Sequence, residues 1–234
     1  MQNNLKISIV IPCYNEEKTL NKIIEKVLNF KNFDKEIIIV DDHSSDSSQY
    51  IIEDLKKNHS EIKSIRHEKN FGKGESLKTG IKASSGNIIL FQDADLEYNP
   101  DDYDKLLGPF INTDADVVYG SRFLGGNYVR LHFFWHHVAN KLLTTLCNIF
   151  TNLNMTDMET GYKLFKSDII KSIKLKEKSF GIEPEITVKL AKKKSIFYEV
   201  PISYSGRSYE QGKKIGIKDA FRAVYCIIKY KFFD

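Results

Sequence analysis

Apolar residues recur along the first half of the chain in short runs, and polar segments with helical spacing separate them. The runs are rich in Ile and Val, which is typical of strands that are buried on both faces of a sheet. They predict strands at residues 6–11, 36–40, 62–66, 88–91 and 115–119. Because these strands alternate with helical segments, the pattern favours an α/β fold with a mostly parallel sheet through about residue 120.

The helical segments carry apolar residues at every third or fourth position. The clearest stripe consists of Leu20, Ile23, Ile24, Val27 and Leu28. Asn15 is expected to cap that helix, with Glu16 and Glu17 in its first turn. Further helices are predicted after the polar loop 43–48 to about residue 57, from 72 to about 84, and from 100 to about 110. Residues 160–200 return to mixed α/β character.

Two amphipathic segments distinguish the second half of the chain. Residues 128–150 carry an apolar stripe that includes Trp135, the single tryptophan of the chain. Residues 213–231 carry an apolar stripe beside a basic one, in which Lys218 and Arg222 lie. Each segment is interpreted either as a helix packed on the sheet or as an interfacial helix on a membrane surface.

Length and composition suit one globular domain. The chain has 234 residues, of which 41% are hydrophobic and 28% charged. We predict a single domain over 1–234, whose character changes after residue 122. A net charge of +4 gives no indication of a nucleic-acid partner.

Targeting and redox features are few. Cys13, Cys147 and Cys226 are scattered and form no Cys-x-x-Cys motif, which fits free thiols in a reducing compartment. The apolar run Ile7–Ile11 is too short for a signal peptide, and no stretch reaches the ~18 apolar residues of a membrane span. A cytoplasmic protein is therefore expected.

A cluster of carboxylates follows the fourth predicted strand. Asp93, Asp95 and Glu97 alternate, so on an extended backbone they would point to one face and converge. A divalent cation would offset their mutual repulsion, and ligands that are all oxygen atoms suit Mg²⁺ or Mn²⁺. The alternative is a solvated acidic turn before Pro100.

Three other polar motifs directly follow strands 1, 2 and 5. They are Pro12-Cys-Tyr-Asn-Glu16, Asp41-Asp42 and Gly120-Ser-Arg122. With the carboxylate cluster they would lie along one edge of a parallel sheet, where α/β proteins bind ligands. Together they describe a nucleotide site: Asp42 for ribose or base contacts, the carboxylates and a metal for the pyrophosphate, and Arg122 for a phosphate.

Two common nucleotide motifs are missing from the sequence. Gly72-Lys73-Gly74 lacks the upstream Gly and the following Ser or Thr of a P-loop. No Gly-x-Gly-x-x-Gly follows the first strand, which excludes a dinucleotide-dependent dehydrogenase of the usual kind.

The combined motifs resemble those of the family 2 glycosyltransferases, which have the GT-A fold. The residues that carry the resemblance are Val10–Glu17, Val40–Asp42 with the Ser/Asp run after it, Asn70–Gly74 and Asp93–Leu96. A further set looks more specifically like the dolichol- or polyprenyl-phosphate sugar transferases: Gly120–Phe123, Thr156-Asp157, Thr160–Phe165, Arg207 and Gly212–Lys214. The resemblance implies inverting transfer of a sugar from a UDP- or GDP-sugar to a polyprenyl phosphate, by a peripheral protein on the cytosolic face of a membrane. It also implies a nucleotide-binding half at 1–122 and an acceptor-facing and membrane-facing half at 123–234.

The resemblance also implies a role for each matching position. The residues expected to hold the base and ribose are Pro12, Tyr14, Glu16, Val40 and Asp42. Asp93 and Ala94 would contact the donor, while Asp95 and Glu97 would ligate Mg²⁺ or Mn²⁺. The residues expected at the donor and acceptor phosphates are Arg122, Arg207 and Lys213. Asp93, Asp95, Arg122 and Arg207 are the residues that we expect to carry catalysis.

The chain departs from parts of the family pattern. Mannosyl-phosphate synthases are expected to carry Gln where this chain has Glu97. The C-terminal pair of membrane spans found in some relatives and the Gln-x-x-Arg-Trp motif of processive relatives are both missing from this sequence.

Other functions stay open at this point. A family 2 enzyme that glycosylates a glycan hydroxyl would need a base such as Asp157, which could equally be a helix cap or loop residue. A phosphatase could use Asp93 and Asp95, and a non-enzymatic subunit could bind the nucleotide-sugar as a scaffold. Asp42 could simply cap a helix, and Glu183 and Glu185 could either act in the site or start a helix around Pro184.

Overall fold

A central sheet of seven strands organises the computed structural model, which describes residues 5–125, 134–207 and 216–234. The strands are β1 Lys6–Cys13, β2 Asp34–Asp41, β3 Ile62–Arg66, β4 Ile88–Phe91, β5 Val117–Ser121, β6 Lys163–Lys166 and β7 Phe197–Pro201. The helices are α1 Leu20–Asn29, α2 Ser48–Asn58, α3 Lys73–Ala83, α4 Tyr103–Asn112 after a 3₁₀ turn at Pro100–Asp102, α5 Phe134–Thr151, α6 Ser167–Lys171, α7 Ile182–Lys192 and α8 Ile217–Phe232. All five strands predicted in the first half are present, and the predicted mixed α/β class is confirmed.

The strand order is β3-β2-β1-β4-β6-β5-β7. All neighbouring pairs are parallel except those of β6, which runs antiparallel to both β4 and β5. Leu164 of β6 lies opposite Leu90 on one side and Val118 on the other. This insertion brings the segment that precedes β6 to the edge where β4 and β5 end, so residues from the second half of the chain complete the edge that the first half begins.

The two faces of the sheet are covered by different helices. Ile7, Ile9 and Ile11 pack on one face with α1, α2 and α4, whereas Val10 packs on the other with α3, α5, α7 and α8. These four side chains are fully buried, and the burial of each contributes roughly 1.5–3 kcal/mol to the stability of the fold. Because successive side chains of β1 point to opposite faces of the sheet, this one strand contributes to the core on each face.

The first strand extends further than its proline predicts. We expected Pro12 to end the strand, but β1 continues to Cys13, and Pro12 lies opposite Val40. The nitrogen of Pro12 faces β4, and the pairing of β1 with β4 ends at Val10. The N–H that proline lacks would therefore have no partner in the sheet. Proline is therefore tolerated at this point of a central strand.

The predicted cap at Asn15 is wrong. Helix α1 begins at Leu20 and has Thr19 at its N-cap position, whereas Asn15 adopts a φ of 55° in the loop before it. The apolar stripe identified the helix correctly because it reports the buried face, and all five of its residues are buried. It could not report how the polar residues of the loop are used.

The predicted bounds of later elements also shift. Strand β5 spans Val117–Ser121 rather than 115–119, because Asp116 and Val117 bond the backbone of the segment before β7. Part of each predicted amphipathic segment, 128–133 and 213–215, lies outside the described residues. The described parts form α5 and α8, which pack against each other and against α7.

Candidate active site

The loops that follow β1 and β2 are cross-linked by hydrogen bonds from backbone to side chain. The Asn15 N–H donates to Ser44 Oγ at 3.0 Å, and the Ser45 N–H donates back to Asn15 Oδ1 at 2.8 Å. The Glu16 N–H donates to Ser48 Oγ at 2.9 Å. These bonds hold Asn15 in its left-handed conformation, which asparagine tolerates better than most residues. The two loops, which are distant in sequence, are therefore held together, and we refer to them as the rim of the site.

Asp42 organises the next part of the rim. Its Oδ2 accepts from the Gly72 N–H at 2.7 Å, and its Oδ1 accepts from the Phe71 N–H at 3.0 Å. His67 Nδ1 lies 2.7 Å from the same Oδ1. Asp42 does not cap α2, which has Ser47 at its N-cap position. The carboxylate instead holds the turn that leads into α3.

The turn before α3 directs Lys73 into the site. Gly72 has a φ of 100°, and a Cβ placed there would lie 2.4 Å from the carbonyl oxygen of Lys178. Only glycine combines that conformation with so close an approach of two backbones. Nothing in the sequence indicated that Lys73 would pair with Asp93 of the carboxylate cluster.

The three predicted carboxylates line one cleft but pair with two different cations. The chain leaves β4 at Phe91 and turns, and Leu96 takes a φ of 63°, so the alternation expected of an extended segment is lost. Asp93 lies 2.9 Å from Lys73 Nζ, whereas Asp95 and Glu97 meet at Arg207. The prediction of an extended segment is therefore wrong, although the three carboxylates are close enough for Asp93 and Glu97 to raise the pKa of Asp95.

Arg207 lies among three acidic side chains. Its Nη2 donates to Asp95 at 2.6 Å, its Nε to Glu97 at 3.3 Å, and its Nη1 to Glu16 at 3.4 Å. Glu97 also accepts from the Tyr204 hydroxyl at 2.6 Å. Burial, with help from Asp93 and Glu97, raises the pKa of Asp95 to about 7, although Arg207 opposes the shift. This part of the site therefore favours the presence of a cation.

The carboxylate ligands of this site match the requirements of a divalent metal in part. Asp95 and Glu97 offer hard oxygen ligands in a region that already attracts positive charge, and Mg²⁺ commonly takes one or two protein carboxylates plus phosphate oxygens. Within the described residues, however, no group of three or more His, Cys, Asp or Glu side chains is arranged to hold a metal ion. The two carboxylates are therefore suited to a metal that the substrate helps to hold.

Arg122 and Asp157 form a tight buried pair. Arg122 Nε and Nη2 donate to the two carboxylate oxygens of Asp157 at 2.6 and 2.7 Å. Asp157 is fully buried, and Asn140 donates to it as well, at 3.3 Å. Asp157, with Tyr98, raises the pKa of Arg122 well above its usual value, despite the opposing effect of burial. Asp157 thus fixes the direction in which Arg122 presents its remaining N–H groups.

These groups surround a cleft of about 710 Å³ at the carboxyl ends of the parallel strands. The predicted site residues that line it are Pro12, Tyr14, Glu16, Asp42, Asp93, Ala94, Asp95, Glu97, Arg122 and Arg207. Val40 does not line the cleft, since its side chain is fully buried within β2. Lys213 lies outside the described residues. Glu159 and Glu183 also line the cleft. A role in the site had been left open for Glu183, whereas Glu159 had not been singled out from the sequence.

Two helices carry exposed aromatic residues beside the cleft. Trp135 at the start of α5 is 74% exposed, and Phe221 of α8 is 73% exposed. Trp135 and Ala220 each line the cleft. Arg222, which the sequence assigned to a basic outer stripe, instead donates to the buried Glu177 at 2.7 Å. None of the helices in the described part of the chain has the length and apolar character needed to cross a bilayer.

Solved structures with the same fold include glucosyl-3-phosphoglycerate synthase from Mycobacterium tuberculosis. The complex of that enzyme with Mn²⁺, UDP and phosphoglyceric acid matches 98% of this chain and 80% of its own, with a TM-score of 0.75 and 17% sequence identity. The match shows that the chain has the GT-A fold, as its motifs predicted.

Relatives with assigned names are similar over nearly the whole chain. A dolichol-phosphate mannosyltransferase from Pyrococcus furiosus is 27% identical over 97% of this chain, which spans 65% of the length of that relative. A UDP-N-acetylglucosamine–dolichyl-phosphate N-acetylglucosaminyltransferase from Methanococcus voltae is 28% identical, with 96% of each chain covered. The glycosyl transferase family 2 model matches residues 8–174, and the chain belongs to that family.

Proposed function

We propose that the protein transfers a sugar, with inversion, from a nucleotide-sugar to a polyprenyl phosphate. The named relatives that act on dolichol phosphate support the choice of acceptor class. The UDP-sugar in the name of one relative supports a nucleotide-sugar donor. The sugar and the base of the nucleotide are determined by the experiment below.

The pair of Arg122 and Asp157 is the observation that carries this proposal. A hydroxyl acceptor must lose a proton, so it needs a base in contact with it. Asp157 is the residue that we considered as such a base, but it is fully buried and both its oxygens bind Arg122. A phosphate monoester is already largely ionised near pH 7, since its second pKa is about 6. Such an acceptor needs a fixed cation more than a base, and Arg122 supplies one.

The chemistry at the donor end is electrostatic. Asp95 and Glu97 would hold Mg²⁺ or Mn²⁺, which offsets the charge that develops on the departing nucleoside diphosphate. Lys73 adds a fixed positive charge beside Asp93. When Asp95 and Glu97 are taken by a metal, Arg207 becomes available to a phosphate, and Arg binds phosphate with two parallel hydrogen bonds.

The membrane surface is the partner proposed for α5 and α8. A polyprenyl chain stays in the bilayer, so its phosphate can reach the cleft only if the cleft faces the lipid. Trp135 and Phe221 are exposed next to lining residues of the cleft, and aromatic side chains favour the interface between water and lipid. The proposed location is therefore peripheral, on the cytosolic face of a membrane.

The test uses radiolabelled donors with two classes of acceptor. Purified protein with Mn²⁺ is incubated with UDP-N-acetylglucosamine, UDP-glucose or GDP-mannose, together with polyprenyl phosphate or a panel of sugars. We expect a lipid product that mild acid hydrolyses, formed from one donor. Asp95→Asn should form none, whereas Asp101→Asn should keep activity because Asp101 is exposed and does not line the cleft. Product that survives mild acid, or that forms only on the sugars, would favour the glycan-hydroxyl alternative.

A further inference from the structure

Three carboxylates and one lysine lie close together in the wall of the cleft near Asp93. We call this cluster the Glu183 pocket, and it consists of Lys73, Asp93, Glu159, Gly161 and Glu183, all of which line the cleft. Lys73 Nζ lies between two carboxylates, 2.9 Å from Asp93 and 3.3 Å from Glu183. A Cβ at position 161 would lie 2.5 Å from Asp93 Oδ2, so the pocket needs glycine there.

Two oxygen atoms of the Glu183 pocket lack hydrogen bonds. Glu183 is only 6% exposed, and its Oε1 faces Lys73, but within the described part of the chain its buried Oε2 has no hydrogen-bond partner. The buried Oε1 of Glu159 likewise has none among the described residues. Leaving a buried polar group unpaired costs about 1–3 kcal/mol, and more if it is charged. A fold keeps such groups where something other than the fold uses them.

Glu185, two residues further along α7, shows what a purely structural glutamate looks like in the same helix. It is fully buried, and it accepts from the backbone N–H groups of Lys176 at 2.8 Å and Glu177 at 2.7 Å. Lys189 donates to it as well, at 2.8 Å. Of the two glutamates that flank Pro184, Glu185 is therefore satisfied by the protein, whereas Glu183 has an oxygen left over.

The two unpaired side chains differ in charge. Burial and the nearby charge of Glu183 raise the pKa of Glu159 to about 8, with Asp157 adding to the rise and Lys163 and Arg122 opposing it. Glu159 is therefore mostly a neutral acid at pH 7 and can donate a hydrogen bond. Lys163 Nζ is already committed to the carbonyl oxygens of Met158 and Thr160. The pocket thus offers one hydrogen-bond donor, Glu159, and one hydrogen-bond acceptor, Glu183. A hydroxyl group can bind both, because it accepts one hydrogen bond and donates another.

We infer that Glu183 and Glu159 bind a hydroxyl group of the transferred sugar and so determine which sugar the enzyme accepts. This inference rests on the proposed function and adds the sugar end of the donor to it. In this proposal Tyr14 and Asp42 would bind the nucleotide, and the Glu183 pocket, which Lys73 links to Asp93, would bind the sugar. A site built to bind a hydroxyl group discriminates strongly against an analogue that lacks it, because its buried groups are then unpaired.

The test compares the affinity for a nucleotide-sugar with that for the nucleoside diphosphate alone. Calorimetry with Mn²⁺ measures UDP against UDP-N-acetylglucosamine and UDP-glucose, and GDP against GDP-mannose. For the best donor, Glu183→Gln should lose roughly 10- to 100-fold in affinity for the nucleotide-sugar while its affinity for the diphosphate stays unchanged. Glu159→Gln is the matched variant, and it should lose less than about threefold, because an amide donates a hydrogen bond as the neutral acid does.

Wild-type protein and deoxygenated sugars give a second measurement that does not depend on the variants. One deoxysugar donor of a series should bind at least about tenfold more weakly than its parent, and Glu183→Gln should remove that difference. Equal losses in both glutamate variants, or an unchanged ratio of nucleotide-sugar to diphosphate affinity in a folded Glu183→Gln protein, would overturn the inference. Failure of the wild type to bind any nucleoside diphosphate would instead reject the proposed function itself.

Discussion

The two ends of the cleft satisfy their polar groups in opposite ways. At the rim built on Asn15 and Asp42, the functional side chains are bonded to the protein's own backbone, so the rim is formed before a ligand arrives. At the far end, Glu159 and Glu183 keep buried oxygen atoms that no described residue bonds, and Trp135 is largely exposed. At the first end the buried Asp41 Oδ2 also lacks a hydrogen bond from any described residue, but Arg66 Nε lies 3.5 Å from it. We therefore infer that the fold finishes the first end, whereas a ligand completes the second.

This difference shows where specificity can reside. A preformed rim offers a ligand the fixed shape of a backbone, which suits a component common to many donors, such as a nucleotide. Unpaired side chains offer their bonding capacity to whatever fits, so substitutions there change the choice of ligand rather than the stability of the fold. The predictions below test this difference between the two ends, in order of decreasing expected effect.

The largest effect is expected at the boundary between the two ends. Gly161→Ala would place a methyl group 2.5 Å from Asp93 Oδ2 and 2.8 Å from the ring of Tyr98. Overpacking of this kind costs about 1–3 kcal/mol of unfolding free energy. Because Asp93 must shift, sugar transfer should fall by at least about 100-fold, an effect of about 2.7 kcal/mol on the reaction. Denaturant unfolding and the radiolabel assay measure the two losses.

Gly108→Ala is the control for that substitution. Gly108 lies within α4, and a methyl group at this position would meet no atom within 4 Å outside the adjacent residues and the backbone of its own helix. Alanine is favoured over glycine in a helix by up to about 1 kcal/mol, but its Cβ would crowd the ring of Pro109, so the change in stability should be small and the activity unchanged. Equal behaviour of the two alanine variants would mean that position 161 does not hold Asp93 in place.

The second prediction concerns Arg207 as the cation that holds Asp95 and Glu97. Arg207→Ala should lower transfer to polyprenyl phosphate by roughly 10- to 100-fold, because a charged hydrogen bond to phosphate is lost. It should also raise the affinity for Mn²⁺ measured without donor by about tenfold, since the metal no longer competes with a guanidinium. EDTA should abolish transfer in both proteins. Weaker Mn²⁺ binding in the variant would contradict the competition.

The third prediction uses the pH dependence of stability to probe the far end. The pKa of Glu159 is raised to about 8 from an unperturbed value near 4.5. The folded state therefore binds a proton that the unfolded state releases, and the stability this provides is lost as the pH rises through about 8. The wild type should lose stability between about pH 5 and 8, by at most about 1.4 kcal/mol for each pH unit. Glu159→Gln should lack this slope.

Thermal or denaturant unfolding of both proteins across that range gives the comparison directly. Glu61→Gln is a suitable control, because Glu61 is only partly buried and does not line the cleft, and it should keep the slope of the wild type. Parallel curves for the wild type and Glu159→Gln would mean that Glu159 is ionised at neutral pH.

The smallest effect is expected at the exposed aromatic residues. Replacing Trp135 and Phe221 with Ser should leave the melting temperature nearly unchanged, since both side chains are more than two-thirds exposed. Sedimentation with vesicles of anionic lipid should fall several-fold, and Lys218→Glu should lower it further at low salt, because each basic residue near such a surface contributes about 1 kcal/mol. Arg222 is unsuitable for this test because it holds Glu177. Wild-type protein that stays in the supernatant at low salt would reject the membrane partner.

The sequence predicted those features that depend on periodicity and on strand ends. Burial repeats along each element, so the five strands of the first half and the face of α1 could be located. Motifs after parallel strands must reach one edge, so nine of the ten predicted residues that line the cleft could be placed there, whereas Arg207 was predicted from the family resemblance. The antiparallel insertion of β6 was outside such reasoning, because the short segment Lys163–Lys166 pairs with strands far away in sequence.

The pairing of individual side chains could not be predicted for the same reason. Asp93 and Asp95 look equivalent in sequence, but the chain turns at Ala94 and Asp95, and the two carboxylates pair with different cations. Arg207 is 112 residues away from Asp95, and nothing local to either residue signals their contact. Glu183 and Glu185 flank one proline, and only the three-dimensional packing distinguishes the satisfied carboxylate from the unsatisfied one.

The insertion of β6 has a consequence for biosynthesis. Strand β4 consists of four apolar residues, Ile88–Phe91, and during translation its outer edge stays unpaired until the ribosome has added Lys163–Lys166 some 75 residues later. An apolar strand with a free edge is a template for pairing with other chains. The nascent first half therefore needs prompt synthesis or a chaperone to cover it, and we expect a fragment that ends at residue 122 to aggregate although it contains the whole nucleotide rim.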